Sequence, residues 1–294
     1  MKKKILALML TLTMVLSLAA CGSSDNSETT DTTNTTTETT DTADTTETSE
    51  TDTEADNTAD SDMAYVKDKG VLVVGITDFA PMDYRDENNE WVGFDADLAK
   101  AFAESLGVEV EFIEIQWDSK ILELDGKTID CVWNGMTLTD EVKAAMECSN
   151  AYCNNAQIVI VPADKADQYQ TTDSLKDLSF AVEAGSAGEK EVTALGLSCT
   201  PVLTQADALM EVAAGTSDAA VIDSLMAAAM VGEGTGYADL TYTVGLNSEE
   251  YGVGFRKGSD LAAALNDFFK ASYADGSMME YAEKYGVKAA VIAQ

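Results

Sequence analysis

The sequence predicts an α/β protein with two lobes, each built on a mainly parallel sheet flanked by helices. Short apolar runs typical of buried strands alternate with segments of helical period from about position 71 to position 285, and this alternation favours parallel strands with helical crossovers. The pattern restarts after Pro162, and extended segments at 157–161 and 249–255 join the two units. Two α/β units connected in this way indicate a cleft between two lobes.

The elements of the first unit follow from their apolar period. Residues 71–76 form a continuous apolar run, which is typical of a strand buried on both faces. Residues 96–106 place Leu98 and Phe102 on one helical face, and Asp95 is the candidate N-cap. The other predicted elements of this unit are strands at 108–115 and 129–133 and helices at 121–125 and 139–147.

The rest of the chain repeats the alternation. The further predicted strands lie at 158–161, 178–182, 219–222 and 251–255, and the further predicted helices lie at 189–195, 206–214, 224–231, 261–273 and 278–285. We assign 63–157 plus 250–294 to the first lobe and 158–249 to the second lobe. Each lobe then has the size of an ordinary domain.

The N-terminus carries the features of an export signal. Three lysines precede an apolar run at 5–18, and small residues follow; this order is typical of a secretory signal peptide, here 1–20, and the run is too short to favour a membrane-spanning helix. The stretch Leu-Ala-Ala-Cys that ends at Cys21 resembles the processing box of bacterial lipoproteins. That resemblance implies cleavage before Cys21 and a diacylglycerol on its sulfur. The alternative is an ordinary signal peptide that contains a cysteine.

A tether is predicted after the signal. Residues 22–62 contain only Gly, Ser, Thr, Asp, Glu, Asn and Ala, and such a segment cannot bury enough apolar surface to offset the loss of chain entropy. We therefore predict that 21–62 is a lipidated cysteine followed by a disordered tether, and that the fold begins near Met63.

Composition excludes several classes of function. The chain has 294 residues, no histidine and a formal net charge of −34. The absence of histidine excludes a Ser-His-Asp triad and histidine metal sites, and the acidic balance argues against nucleic acid as a partner. Because there is no Cys-x-x-Cys pair either, we expect no metal and no cofactor.

A ligand site is predicted where predicted strands end, because open α/β sheets bind ligands at the carboxyl ends of their strands. Four such ends lie at 75–79, 133–137, 182–187 and 222–223. At the second of these, a small polar stretch from Asn134 to Thr137 precedes a helix that opens at Thr139. The junction of a strand and a helix leaves backbone N–H groups free to hold an anion.

Five motifs in the folded part resemble a known family. LVVGITDFAPMDYRDENNEWVGFDADLAKAFAESLGV is followed by WDSKILELDGKTIDCVWNGMTLTDE, FAVEAGSAGE, SDAAVIDSLMA and EEYGVGFRKG. Over residues 65–290 the chain is similar to the substrate-binding proteins of polar-amino-acid ABC importers, the bacterial solute-binding protein family 3. The resemblance implies a two-lobed venus-flytrap of the type II periplasmic-binding-protein fold, a two-strand hinge, and closure of the lobes on one solute.

The resemblance also implies binding residues by position. They are Phe79, Trp117, Asn134, Gly135, Met136, Thr137, Ser186, Ala187 and Asp223, and the predicted ligand-binding set further includes Asp78 and Lys120. The two aromatic residues could enclose an apolar or cationic part of the ligand. Thr137 and Asp223 would accept from an ammonium, and N–H groups near Gly135 and Ala187 would donate to a carboxylate. The alternatives are that both aromatic residues are core and that Thr137 and Asp223 only cap helices.

One position departs from the family pattern. The family usually carries Arg in a Thr-x-Glu-Arg segment, where it clamps the α-carboxylate with two parallel hydrogen bonds. This chain reads Thr-Asp-Glu-Val there, so Val142 takes the place of the arginine. Three accounts stay open: Lys120 or Arg85 replaces it, backbone N–H groups hold the carboxylate alone, or the ligand is an amine without a carboxylate. We favour Lys120.

The cysteines of the folded part permit one disulfide. Cys148 and Cys153 are five positions apart, and an exported protein can keep such a bond, although sequence does not fix the geometry that the bond needs. Cys131 lies in a predicted strand and is expected to be a small buried apolar residue.

These features predict an extracytoplasmic receptor that captures a small polar amino acid or related amine for ABC-transporter import. We expect a monomer, held by its lipid at the outer face of the cytoplasmic membrane, that contacts ABC permease subunits and performs no catalysis. One alternative is an enzyme on the same fold, of the dehydratase or cell-wall lytic type, which would need a cleft carboxylate such as Asp78 or Asp83. Another is a sensory or adhesive solute-binding lipoprotein.

Overall fold

The computed structural model of the protein describes residues 61–294. The predicted signal peptide at 1–20, the lipidation of Cys21 and the tether as far as position 60 lie outside the described residues. The predicted tether is two residues too long, because Ser61 and Asp62 belong to the fold. The Ser61 side chain accepts a hydrogen bond of 2.9 Å from the N–H of Ala64 and so caps helix α1 (Asp62–Lys69), while Asp62 pairs with the guanidinium of Arg256.

The first sheet is formed by strands that precede position 156 and by the last strand of the chain. Its strands are β1 (Val71–Ile76), β4 (Glu109–Glu114), β5 (Cys131–Thr137), β6 (Glu147–Cys148), β7 (Cys153–Asn155) and β13 (Glu249–Phe255), and a separate hairpin is formed by β2 (Tyr84–Arg85) and β3 (Trp91–Val92). β1 lies between β4 and β5 and is parallel to both. β13 is antiparallel to β5, β6 and β7, so β13 alone runs against the other five strands, and the sheet is mainly parallel in strand direction, as predicted.

The second sheet is formed by one continuous part of the chain. Its strands are β8 (Gln157–Pro162), β9 (Ser179–Glu183), β10 (Ser198–Val202), β11 (Ala219–Asp223) and β12 (Leu240–Gly245), in the order β10-β9-β11-β8-β12. β9 is parallel to β10 and β11, whereas β8 is antiparallel to β11 and β12. β8 therefore runs against the other four strands of this sheet, and the shared direction of the remaining strands in both sheets confirms the predicted α/β class.

Helices cover both sheets. After α1 they are α2 (Phe94–Leu106), α3 (Lys120–Asp125), α4 (Asp140–Ala145), α5 (Ala187–Ala194), α6 (Gln205–Ala214), α7 (Ser224–Met230), α8 (Leu261–Asp275) and α9 (Ser277–Lys284). An aromatic core joins α2 and α8 to the first sheet, with the ring of Phe102 5.5 Å from Phe268 and the ring of Trp133 5.6 Å from Phe269. No helix among residues 61–294 is both long and apolar enough to cross a membrane.

Asp95 does not cap α2, contrary to the prediction. The N-cap position is Gly93, whose φ of 137° and close approach to the carbonyl oxygen of Met82 exclude a side chain. Asp95 lies inside the helix and is buried. Its Oδ2 accepts hydrogen bonds of 2.7 Å from the N–H of Gly135 and from the hydroxyl of Tyr152, so this carboxyl ties α2 to β5.

Two adjacent connections join the two sheets. Ala156 links β7 to β8, and 246–248 link β12 to β13. The connections lie side by side, because the N–H of Gln157 donates to Oδ1 of Asn247 at 2.7 Å and the N–H of Leu246 donates to the carbonyl of Gln157 at 2.8 Å. This arrangement agrees with a two-strand hinge.

Candidate functional site

A cavity lies between the lobes, where strands of both sheets end. Its empty space, counted with its opening to solvent, is about 430 Å³. The predicted ligand-binding residues that line it are Phe79, Trp117, Lys120, Asn134, Gly135, Met136, Thr137, Ser186, Ala187 and Asp223. Their roles as ligand contacts stay predictions.

The two carboxyls considered for an enzyme do not line the cavity. Asp78, which we also placed in the ligand-binding set, is exposed at the end of β1. Asp83 is buried beneath Asn134, whose amide donates to its Oδ2 at 2.8 Å. Burial and the neighbouring Asp95 raise the pKa of Asp83 well above its usual range.

Phe79 and Trp117 are buried and line the cavity at the same time. The ring of Phe79 meets the ring of Tyr251 edge to face, with centroids 6.4 Å apart. Lys120 places its Nζ 4.7 Å from the centroid of the Trp117 ring. Phe79 and Trp117 are therefore core residues and cavity-wall residues at once, because each packs inside the first lobe and also lines the cavity.

Lys120 is the predicted substitute for the family's arginine, and it lies in the cavity with 8% of its surface exposed. Its Nζ donates to the carbonyl of Trp117 at 2.9 Å and to the carbonyl of Gly185 at 3.1 Å. Burial, with a contribution from the positive charge of Lys190, lowers its pKa to about 8. Val142 also lines the cavity.

Arg85, the other cation considered as a substitute for the family's arginine, lies outside the cavity. Its guanidinium stacks on Trp91 at 4.1 Å from the ring centroid and lies 3.7 Å from the carboxylate of Glu114. It does not line the cavity, so it cannot take the place of the missing arginine.

The predicted end of a strand at Trp133 is wrong, whereas the anion site predicted at this junction stays a prediction. Asn134 to Thr137 continue strand β5 instead of forming a loop, and the N–H of Gly135 is occupied by Asp95. Thr139, not Thr137, caps α4 by accepting from the N–H of Val142 at 3.2 Å. Thr137 donates instead to the carboxylate of Glu249 at 2.9 Å.

The N-terminus of α5 offers free backbone donors in the second lobe. Ser186 is its N-cap, and its hydroxyl accepts from the N–H of Glu189 at 3.1 Å. The first N–H groups of a helix have no acceptor within the helix, and here they begin at Ala187, which lines the cavity. The helix dipole adds partial positive charge at this end, as the prediction for Ala187 requires.

Asp223 is buried and does not cap α7 with its side chain. Its Oδ1 accepts from Asn155, from Gln157 at 2.8 Å and from the hydroxyl of Tyr251 at 2.8 Å, and its Oδ2 accepts from Gln205. Burial, with a contribution from Glu249, raises its pKa to about 7. The capping alternative is therefore excluded, and one acceptor position remains on Oδ2.

Several cavity residues were not predicted from the sequence. They are Gln157, Glu183, Gly185, Lys190 and Gln205. Glu183 stands out because it is 2% exposed and its Oε1 has no hydrogen-bond partner among the described residues. Burial and the neighbouring Asp223 raise its pKa to about 8. An acidic residue at the end of the apolar run Phe-Ala-Val was the signal that could have found it.

The disulfide that the sequence permitted is absent, since all four cysteines within 61–294 are free. Cys148 and Cys153 both face strand β13, but their partners there, Gly254 and Tyr251, are three positions apart. That offset is about 10 Å along a strand, beyond the reach of a disulfide. Cys131 is fully buried in β5, as predicted.

Comparisons with known proteins agree with this fold. The family of bacterial extracellular solute-binding proteins, family 3, matches residues 72–288. The L-cystine-binding protein TcyJ of Escherichia coli strain K12 is 28% identical over 224 residues, which are 75% of this chain and 84% of that protein.

Two solved structures are also similar. One is the ancestral amino acid-binding protein AncCDT-1, a precursor of cyclohexadienyl dehydratase, with 33% identity over 76% of this chain and 99% of that chain and a TM-score of 0.70. The other is an ABC uptake transporter substrate binding protein from Streptococcus pneumoniae with bound histidine, with 28% identity over 79% and 99% and a TM-score of 0.72. The two mixed sheets, the paired connections and the family match together lead to one conclusion: the chain belongs to the bacterial extracellular solute-binding proteins, family 3.

Proposed function

We propose that the protein captures a small amino acid between its lobes and delivers it to the permease of an ABC importer. The observation that carries this proposal is Lys120, a buried lysine in the cavity whose Nζ donates, within residues 61–294, to two carbonyl oxygens and to no carboxylate. A buried cation without a counter-ion is costly. A ligand carboxylate would supply the counter-ion, and the N-terminus of α5 would assist it.

The opposite charge is provided by the other lobe, at Asp223. Asp223 keeps one acceptor position for an ammonium, so the cavity complements both charged groups of an α-amino acid. The similar proteins support this ligand class, since one is named for cystine and another holds histidine. An amine without a carboxylate would leave Lys120 without a partner, and we therefore favour the amino acid.

We further propose that the protein is not an enzyme. Neither Asp78 nor Asp83, the carboxyls that the sequence suggested for catalysis, lines the cavity; the carboxyls that do are Glu183 and Asp223, which we assign to ligand binding. The ancestral precursor of a dehydratase among the similar structures is itself an amino acid-binding protein. Recovery of the bound solute unchanged after long incubation would support this proposal, and a converted product would contradict it.

Export, the lipid on Cys21, the monomeric state and the permease contact belong to the same proposal. The sensory or adhesive alternative shares the binding step and differs only in the use that the cell makes of the bound solute. Loss of amino-acid uptake in a deletion strain, restored by the full chain, would favour transport. Normal uptake in that strain would favour the sensory or adhesive alternative.

Binding itself is tested by isothermal titration of the purified protein with α-amino acids, and with amines and carboxylic acids that match their side chains. The proposal expects affinity only where carboxylate and ammonium are present together, because the cavity complements both. Binding of amines alone would overturn it.

A further inference from the structure

Glu183 lines the cavity with a carboxyl group that can still accept hydrogen bonds. It is the last residue of β9, beside β11, which ends at Asp223. Both carboxyls therefore reach the same edge of the second sheet. Glu183 is 2% exposed, and its Oε1 has no hydrogen-bond partner among the described residues.

Asp223 has less room than Glu183 for further hydrogen bonds. Four donors already occupy its two oxygens, three of them on Oδ1, and each carboxylate oxygen accepts about two hydrogen bonds. The position that remains on Oδ2 suffices for one ammonium. A ligand with a second positive nitrogen must place it elsewhere.

Within 61–294 no cation of the protein forms an ion pair with Glu183. Lys120 spends two of its donors on the carbonyl groups of Trp117 and Gly185. Lys190, which also lines the cavity, pairs with Glu141 of the first lobe. Burial disfavours the charged form of an unpaired carboxyl, and a cation that enters from the cavity would supply the partner that this form lacks.

We propose that Glu183 binds a second positively charged group of the ligand, so that this receptor selects amino acids with a cationic side chain. The inference rests on the proposed function. It assigns selectivity to a side chain of the second lobe, whereas the aromatic walls belong to the first.

The test compares pairs of amino acids that differ in side-chain charge but little in shape: arginine with citrulline, and lysine with norleucine. Isothermal titration of the wild-type protein should show arginine and lysine bound about 10- to 100-fold more tightly than their neutral partners, the range of a charge-assisted hydrogen bond. Glu183→Gln should abolish this preference. Glu280→Gln, an exposed position on α9, should keep it.

Other outcomes separate the two proposals. If neutral amino acids bind the wild-type protein as tightly as cationic ones, or if Glu183→Gln weakens both members of a pair equally, the inference fails while the receptor proposal stands. If no amino acid binds the wild-type protein, the receptor proposal itself fails. Should Glu183→Gln not fold, the wild-type pairs still decide, and Glu183→Asp, which keeps the charge, should retain a preference.

Discussion

The Nζ of Lys120 donates a hydrogen bond of 3.1 Å to the carbonyl oxygen of Gly185, and these residues belong to different lobes. The same ammonium faces the cavity. One side chain thus contacts the opposite lobe and the space for the ligand. Because a ligand can favour a closed form only through contacts that it makes in that form, Lys120 is where we expect capture and closure to be coupled.

Replacing Lys120 with Met should weaken amino-acid binding about 10- to 100-fold, the range for a lost charged hydrogen bond. The ligand-free protein should not lose stability, because burial already disfavours the charged form of this lysine and lowers its pKa to about 8. Titration calorimetry and urea unfolding measure the two effects. Lys143→Met, on the exposed side of α4, is the control; equal loss of binding in both variants would contradict the assignment.

Gly185→Ala should hinder closure. A Cβ at Gly185 would lie 2.7 Å from the Cα of Asp118 in the other lobe, whereas a Cβ at Gly196 would meet nothing within 4 Å. Both glycines have positive φ, 71° and 69°, so both substitutions carry a similar backbone cost of roughly 1 kcal/mol. Only Gly185→Ala should reduce ligand affinity. In small-angle X-ray scattering, this variant alone should fail to become more compact when ligand is added. A matching effect of Gly196→Ala would show that backbone strain alone is responsible.

The ligand-free protein should be more stable at pH 5.5 than at pH 8. Burial raises the pKa of Asp95 and of Asp223 to about 7 and that of Glu183 to about 8, so the folded state binds more protons than the unfolded chain between about pH 4 and pH 8. The free energy of unfolding must then fall as pH rises through that window, by at least about 1 kcal/mol. The lowered pKa of Lys120 acts in the opposite sense only above about pH 8.

Urea unfolding at several pH values checks this slope. Reduced repulsion between the many surface carboxylates changes stability in the same direction, so Glu183→Gln is needed as a comparison. That variant should show a shallower dependence on pH. An unchanged slope would mean that the carboxyl of Glu183 does not titrate differently in the folded and unfolded states.

Asp62→Ala should destabilise the fold by about 1–3 kcal/mol, because it removes one of two carboxylates from a buried arginine. The Nε of Arg256 lies 3.0 Å from both oxygens of Asp62, and its Nη2 lies 3.4 Å from Asp130. Asp68→Ala, exposed on the same helix, should change stability by less than about 0.5 kcal/mol. Denaturant unfolding of the two variants measures this difference. Similar unfolding midpoints would show that the pairing of Asp62 with Arg256 does not stabilise the fold.

Strands buried on both faces were predictable because their sequences are continuously apolar. β1 matches its prediction at both ends, β11 is one residue longer than predicted, and β9 is shifted by one residue. β10 and β12 were missed because they lie at the edges of the second sheet and are partly exposed. β10 even contains Pro201, which is tolerated on an edge but weakens a sequence pattern.

Local chemistry misled the prediction where tertiary contacts prevailed. Asn134-Gly135 reads as a turn, yet both residues lie within β5. Gly135 has a φ of 54°, and a Cβ there would lie 2.5 Å from the ring of Phe79. The glycine is required by a close approach across the lobe, which no local pattern records.

Some residues of the candidate site could likewise be located from the sequence, and others could not. Positions such as Phe79, Trp117 and Ser186 could be placed through family motifs of contiguous sequence. Gln157, Gln205 and Glu183 come from separate strands and helices, and their side chains meet Asp223 or the cavity only after the sheets have formed. Polar residues brought together by topology leave no spacing to recognise.

The second sheet, formed by a single stretch between β7 and β13, has a mechanical consequence. Ser61 is bound to Asp260, and Gln294 donates to the carbonyl of Ala151, so both ends of the described chain are attached to the first lobe. Force applied between these ends would load the first sheet while the second lobe bears no tension. In an optical trap the second lobe should remain intact until the first has been pulled open, and should then extend as a separate, later rupture.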